Sequence, residues 1–91
     1  MKQTRIKFSR VKLGREKIWG SADEYPLLID LRTKGKKEFE IYVHESLHYL
    51  FPKLDEKEIE KKAILLVNTL WYEGYRKVDN SNEIHLQDGT L

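Results

Sequence analysis

The chain has 91 residues, 40% of them hydrophobic and 35% charged, with a net charge of +2. That length allows one domain with one small core and excludes a deep, multi-lobed substrate cleft, and the composition is too apolar for a disordered chain. Cysteine is absent, which excludes disulfides, thiolate-held zinc and cysteine nucleophiles, so any bound metal must be held by histidine and carboxylate.

No apolar run approaches the ~18 residues of a membrane span, and the opening MKQTRIKFSR lacks the apolar segment of a signal peptide. The expectation is a cytoplasmic protein that does not associate with membranes. The basic charge is uneven: Lys2, Arg5, Lys7, Arg10, Lys12, Arg15 and Lys17 stand against Glu16 alone in the opening stretch. Alternation with Ile6, Phe8, Val11 and Leu13 assigns these cations to the solvent face of a half-buried strand. A weak contact with nucleic-acid phosphates through this basic strand is the second reading.

The apolar phase shifts from even to odd positions between Phe8 and Val11, which predicts a bulge near Ser9 and Arg10. Gly14 marks a turn. A second short strand is expected to carry Ile18 and Trp19, and SADEYP is a loop. LLIDLR reads as a third strand, with Leu27, Ile29 and Leu31 on one face and Asp30 on the other. These strands are expected to form a small antiparallel sheet within residues 1–33.

From Gly35 the period changes to that of a helix. Phe39, Tyr42, Val43, Leu47 and Leu50 form one stripe, which predicts a helix from about Lys36 to Leu50, stopped before Pro52. Asp55, followed three residues later by Glu58, has the spacing of a capping box and starts a second helix. Its expected buried stripe is Ile59, Ala63, Leu66, Val67, Leu70 and Trp71, and its end falls near Gly74 to Lys77. The polar tail of residues 78–91 contains one short expected strand around Ile84 to Leu86. The expected class is α+β: one domain in which a helical hairpin over residues 36–77 covers the sheet. Trp19, Phe39, Val43, Leu47, Ile59, Ala63, Val67 and Leu70 are its expected core.

Within YVHESLHYLFP lie His44, Glu45 and His48, in a chain with three histidines. Two histidines four apart on a helix lie on one face a turn apart, so both imidazoles can reach one metal ion at ~2.0–2.1 Å. Glu45 is rotated by about 100° from His44. It does not join them as a ligand but can take a proton from a water at the open position of a zinc site. A chance His-Glu-x-x-His in a chain of this composition has a probability on the order of one in a hundred. The competing reading is that His44 and His48 flank the core and hydrogen-bond locally.

A catalytic zinc takes a third protein ligand. In an antiparallel hairpin the segment facing His44 to His48 is roughly Glu56 to Lys61, so Glu56 and Glu60 are both candidates, and His85 is a further one should the tail fold back. Glu58 fits a capping role. Carboxylates in a first helical turn are also favoured simply by the helix dipole.

The run GKKEFEIYVHESLHYLFP, then EKEI, then LWYEGYRKVD resembles a group of small bacteriophage-type proteins. These have a strand ending in Ile-Asp, a lysine-rich turn, a His-Glu-x-x-His helix, a Phe-Pro or similar turn, and a second helix ending in Leu-Trp-x-x-x-Tyr-Arg. More distantly the chain is similar to the minimal zincin cores of SprT-like and gluzincin metallopeptidases. The resemblance covers Leu27 to Val78 and implies metallopeptidase character without naming a substrate; a peptide or protein is the expected partner. It also ranks Glu56 above Glu60 as third ligand, because a glutamate stands at the former place in that group and the latter place varies. A Met-turn, a third histidine just downstream of the motif and a cysteine-held zinc module are missing from this sequence. The expectation is a zinc-dependent hydrolase in which His44, His48 and Glu56 hold Zn2+ and Glu45 is the general base. The alternative is a non-enzymatic phage-type accessory or nucleic-acid-associated protein whose metal site is structural or vestigial.

Overall fold

A computed structural model describes residues 3–14 and 18–78. The expected strand at Ile84 to Leu86 and the candidate ligand His85 lie outside the described residues. Within them the chain forms β1 (Phe8–Val11), β2 (Gly20–Ser21), β3 (Leu27–Asp30), α1 (Gly35–Leu50) and α2 (Glu56–Tyr72). This is the α+β arrangement the periodicities imply, with a three-stranded sheet preceding a helical pair.

The sheet is mixed rather than antiparallel throughout. Its order is β1-β3-β2, with β1 parallel and β2 antiparallel to the central β3. After β1 the chain crosses to the far edge of β3 before turning back into it, so β1 and β3 run the same way. Period-two patterning reports that a strand exists and which face it buries, but not its partner or direction. The expected bulge is also absent, since Phe8, Ser9, Arg10 and Val11 pair one to one with Leu27, Leu28, Ile29 and Asp30. Phe8 and Val11 instead lie on opposite faces of a regular strand, and Leu13 belongs to the next segment, where its backbone N–H donates to Asp30 Oδ2 at 2.9 Å.

Leu27 and Ile29 of β3 are fully buried, as are Ile59 and Val67 of α2. Leu27 and Ile29 share the face of β3 that packs toward the helices, and Ile59, Ala63 and Val67 form an i, i+4 row on the inner face of α2. Helix α1 packs against both α2 and the sheet, so Phe39, Val43 and Leu47 are each half-covered rather than sealed. Three positions expected against the core are exposed, among them Leu50 in the last turn of α1, at 55%. Trp19 is 37% exposed and Leu66 43% exposed. Leu66 falls one position off the buried row of α2, and Trp19 precedes β2 on the sheet edge, where Arg32 lies 5.2 Å from its ring centroid. Leu31, expected to share the face of Leu27 and Ile29, lies past the end of β3 and is 49% exposed.

Both ends of α2 are set by local chemistry. Asp55 accepts a hydrogen bond from the Glu58 N–H at 2.9 Å, satisfying one of the unpaired first-turn donors. At the other end Gly74, at φ 98°, closes the helix. Tyr75 N–H donates to Leu70 C=O and Gly74 N–H to Trp71 C=O, so the helix stops at Tyr72, short of Lys77.

Two buried carboxylates tie the sheet to its surroundings. Asp30 is fully buried, and its oxygens accept from Leu13 N–H, Arg32 N–H, Arg32 Nε and Arg32 Nη2 at 2.7–2.9 Å. The Arg32 guanidinium, helped by the two backbone donors, holds the Asp30 carboxyl far below the usual carboxylate range against the opposing effect of burial. Glu38, buried on α1, accepts from Arg10 Nη1 at 2.6 Å and from Lys77 Nζ at 3.2 Å. The middle cation of the basic N-terminal strand is therefore engaged in pairing β1 to α1.

Candidate metal centre

Helix α1 supplies His44, Glu45 and His48, and the first residue of α2 supplies Glu56. The turn between the helices is short: Phe51 N–H donates to Leu47 C=O at 2.8 Å and Leu54 N–H to Phe51 C=O at 3.1 Å. Asp55 then caps α2, which fixes where Glu56 stands. The carboxylate of Glu56 consequently faces the turn of α1 that carries the two histidines.

His44 Nε2 lies 3.1 Å from Glu56 Oε2, and His48 Nε2 lies 2.8 Å from Glu56 Oε1. The two imidazole rings are 4.9 Å apart, centroid to centroid. One ligand atom from each of His44, His48 and Glu56 falls within 4.8 Å of the other two. The donor set fits a metal ion. Two ring nitrogens and a carboxylate oxygen converge from one side, and none of the three residues is buried, so an ion has access from solvent. Nitrogen-rich donors of this kind suit zinc and similar transition metals better than magnesium or calcium, which prefer oxygen. Among the described residues the imidazoles make no hydrogen bond to any other side chain, so the local-bonding alternative reduces to the contact with Glu56 itself.

Glu45 stands beside this group and outside it. Half-buried between α1 and β2, its carboxyl is pushed above the ordinary range chiefly by burial, with Glu56 and Asp23 adding to the rise and His44 and His48 opposing it. Glu60 does not join the cluster; it is exposed on α2 and lines a neighbouring cleft with His44 and Glu45. Two adjoining clefts, of about 490 and 340 Å³, meet here and share Ile18, Gly20, His44 and Glu45. The larger opens over His48, Glu56 and Asp23, and the smaller runs toward Trp19, Ile41 and Ile64. Together they form a groove between α1 and β2.

Gly20, Asp23 and the edge position of β2 were not legible as site features. They reach the groove through the pairing of β2 with β3, a contact between distant segments for which local sequence carries no signal. The histidine spacing and the Asp55 cap were legible, because both depend only on neighbours along the chain.

The fold and the site together define a small α+β domain whose helical hairpin carries a two-histidine, one-glutamate group able to hold a metal ion. No family model, no curated protein and no solved structure matches the chain. Among the described residues no helix is long and apolar enough to cross a membrane.

Proposed function

We propose that the protein is a zinc-dependent hydrolase acting on peptide bonds, with His44, His48 and Glu56 as zinc ligands and Glu45 as general base. The observation that carries this reading is the division of carboxylates at the site: Glu56 faces both imidazole nitrogens, whereas Glu45 stands clear of them at the groove. Zinc held there supplies Lewis acidity toward water and a substrate carbonyl oxygen. The Glu45 carboxylate accepts a proton from the attacking water and returns it to the leaving amine nitrogen. Two clefts that meet at His44 and Glu45 give a groove with room on either side of the base for an extended chain.

The resemblance to bacteriophage-type proteins with the same motif belongs to this proposal, as does its extension to SprT-like and gluzincin peptidases. A structural metal site in a non-enzymatic accessory protein is the second reading, favoured by the high exposure of the Glu56 side chain, 66%. Exposed Arg5, Lys7 and Lys12 leave room for a weak nucleic-acid contact beside either activity.

Glu45→Gln separates the two readings. On the hydrolase reading it keeps one zinc per chain and the wild-type melting temperature, and peptide cleavage falls by at least ~10²-fold, the usual cost of losing a positioned base. Cleavage of a diverse peptide library by the zinc-loaded proteins is the measurement. Equal rates for wild type and variant, or a zinc-loaded wild type that cleaves nothing, overturn the hydrolase.

A further inference from the structure

Three glycines in the described residues, Gly14, Gly35 and Gly74, have φ of 81°, 61° and 98°, and a Cβ built on any of them would meet nothing within 4 Å. Their reason for being glycine is backbone conformation. Gly20 is different. It does not adopt the left-handed conformation, yet a Cβ built there would stand 2.6 Å from Ile41 Cγ2, 3.0 Å from Glu45 Cγ and 3.2 Å from the Leu28 carbonyl oxygen. Space, not conformation, is what the position demands.

That space is bounded on one side by the residue whose carboxylate the proposed reaction uses. Gly20 pairs with Ile29 in the sheet, and the adjacent Trp19 C=O accepts from Asp30 N–H at 2.8 Å, so the strand is anchored and cannot easily drift outward. Real Cβ atoms essentially never approach a neighbour as closely as 2.6 Å. An added methyl must therefore move Ile41, Glu45 or both. Ile41 and Glu45 are one turn apart on α1, so the bare backbone of Gly20 lies against the face from which the Glu45 side chain leaves the helix.

We infer that Gly20 is a positioning residue for the general base: the missing side chain lets β2 lie directly on Glu45 and fixes where its carboxylate stands relative to His44 and His48. The inference rests on the hydrolase reading for its catalytic meaning, but its structural content concerns only Gly20 and Glu45. Misplacement of a reacting group by about 1 Å can cost on the order of 10²-fold in rate, which sets the upper scale of the effect. Adding a methyl at Gly20 thus acts on turnover rather than on binding.

The test compares Gly20→Ala with wild type, both loaded with zinc, by crystal structure, zinc content, kcat and KM. The expected result is one zinc per chain, unmoved imidazoles, a displaced Glu45 carboxylate, and kcat lower by up to about 10²-fold with KM within a few-fold of wild type. Should Gly20→Ala fail to fold, Gly20→Ala/Ile41→Ala removes the 2.6 Å contact and keeps the one with Glu45; it is compared with Ile41→Ala alone and shows the same displacement and the same drop in kcat. An unmoved Glu45 carboxylate in the variant, or a kcat equal to that of its reference protein, overturns the inference. If wild type holds zinc and cleaves no peptide, the hydrolase reading fails on its own, and the position of Glu45 in the two crystal structures still decides the role of Gly20.

Discussion

Asp30 and Glu56 are both carboxylates that gather nitrogen atoms around them, but they do so in opposite settings. Asp30 is fully buried, and its oxygens take hydrogen bonds from one guanidinium and two backbone amides, groups that can only donate. Glu56 is mostly exposed and faces two imidazole nitrogens, groups that donate or accept according to their protonation. The first cluster is closed: every partner is supplied by the chain, and a cation placed there would compete with Arg32. The second is satisfied only in part by its own members and is open to solvent. Polar clusters that stabilise a fold and polar clusters that take a ligand are distinguished here by whether the nitrogens are obligate donors.

The largest effect that separates the two clusters is loss of metal. His44→Ala or His48→Ala removes one of two imidazoles from a three-residue group, and zinc content measured by mass spectrometry is expected to fall from about one per chain to none, because imidazole is the donor of this group that suits zinc best. Glu56→Ala weakens binding, and Glu60→Ala leaves it unchanged, because Glu60 stands outside the group. A larger loss in Glu60→Ala than in Glu56→Ala would refute the ligand assignment.

The next effect runs the other way. Asp30→Asn leaves His44, His48 and Glu56 untouched but replaces a carboxylate that accepts four hydrogen bonds with an amide that brings donors of its own to the same place. Breaking a buried charged pair is among the severe single substitutions. The melting temperature is expected to drop far more than for Glu58→Ala, which breaks only exposed pairs with Lys61 and Lys62 of about 0.3–0.5 kcal/mol each. Zinc stoichiometry of the folded fraction stays at one. Equal melting temperatures for the two variants would show that the closed cluster is not a stabilising one.

Both clusters were only half legible in the sequence, for the same reason. His44 and His48 announce themselves by spacing, as do Asp55 and Glu58, because a helix converts separation along the chain directly into a shared face. Asp30 showed only its alternation, opposite in phase to Leu27 and Ile29. That it is buried follows from Leu13, beyond the end of β1, and Arg32, both of which bond its carboxylate. The parallel partnership of β1 with β3 and the placing of Gly20 against Glu45 depend on which segments meet across the sheet, and period-two patterning is silent on that. Helix α1 and the start of α2 were therefore readable nearly to the residue, whereas the sheet was readable as strands without an order.

Acid should act on the closed cluster and offers a milder perturbation than substitution. The Asp30 carboxyl titrates well below its ordinary value in the folded chain. Its contribution is therefore present in full above the unfolded value of ~3.9 and is lost progressively as pH falls below that toward the folded value. Melts recorded between neutral pH and pH 2 are expected to show a decline that begins near pH 4 and is smaller in Asp30→Asn than in wild type. Identical acid profiles for the two proteins would remove Asp30 from the account.

The smallest effect tests how the open cluster is held in place. Glu56 is the first residue of α2, and the residue before it, Asp55, caps that helix through the Glu58 N–H. Loss of an N-cap costs about 1 kcal/mol, and its structural consequence is fraying of the first turn, where Glu56 stands. The buried row of Ile59, Ala63 and Val67 begins one residue after that turn's bonded amide, so the body of the helix stays docked while its first residues loosen. Asp55→Ala should therefore do two things: lower the melting temperature slightly without zinc, and reduce the further rise that saturating zinc produces. A ligand stabilises in proportion to the logarithm of its concentration over Kd, so a tenfold weaker site loses about 1.4 kcal/mol of that stabilisation at fixed excess zinc. Asp55→Ser, which restores a capping oxygen without the charge, should recover most of both effects. If Asp55→Ala lowers the melting temperature equally with and without zinc, the cap stabilises α2 but has no part in presenting Glu56, and the carboxylate would then be positioned by the interhelical turn alone.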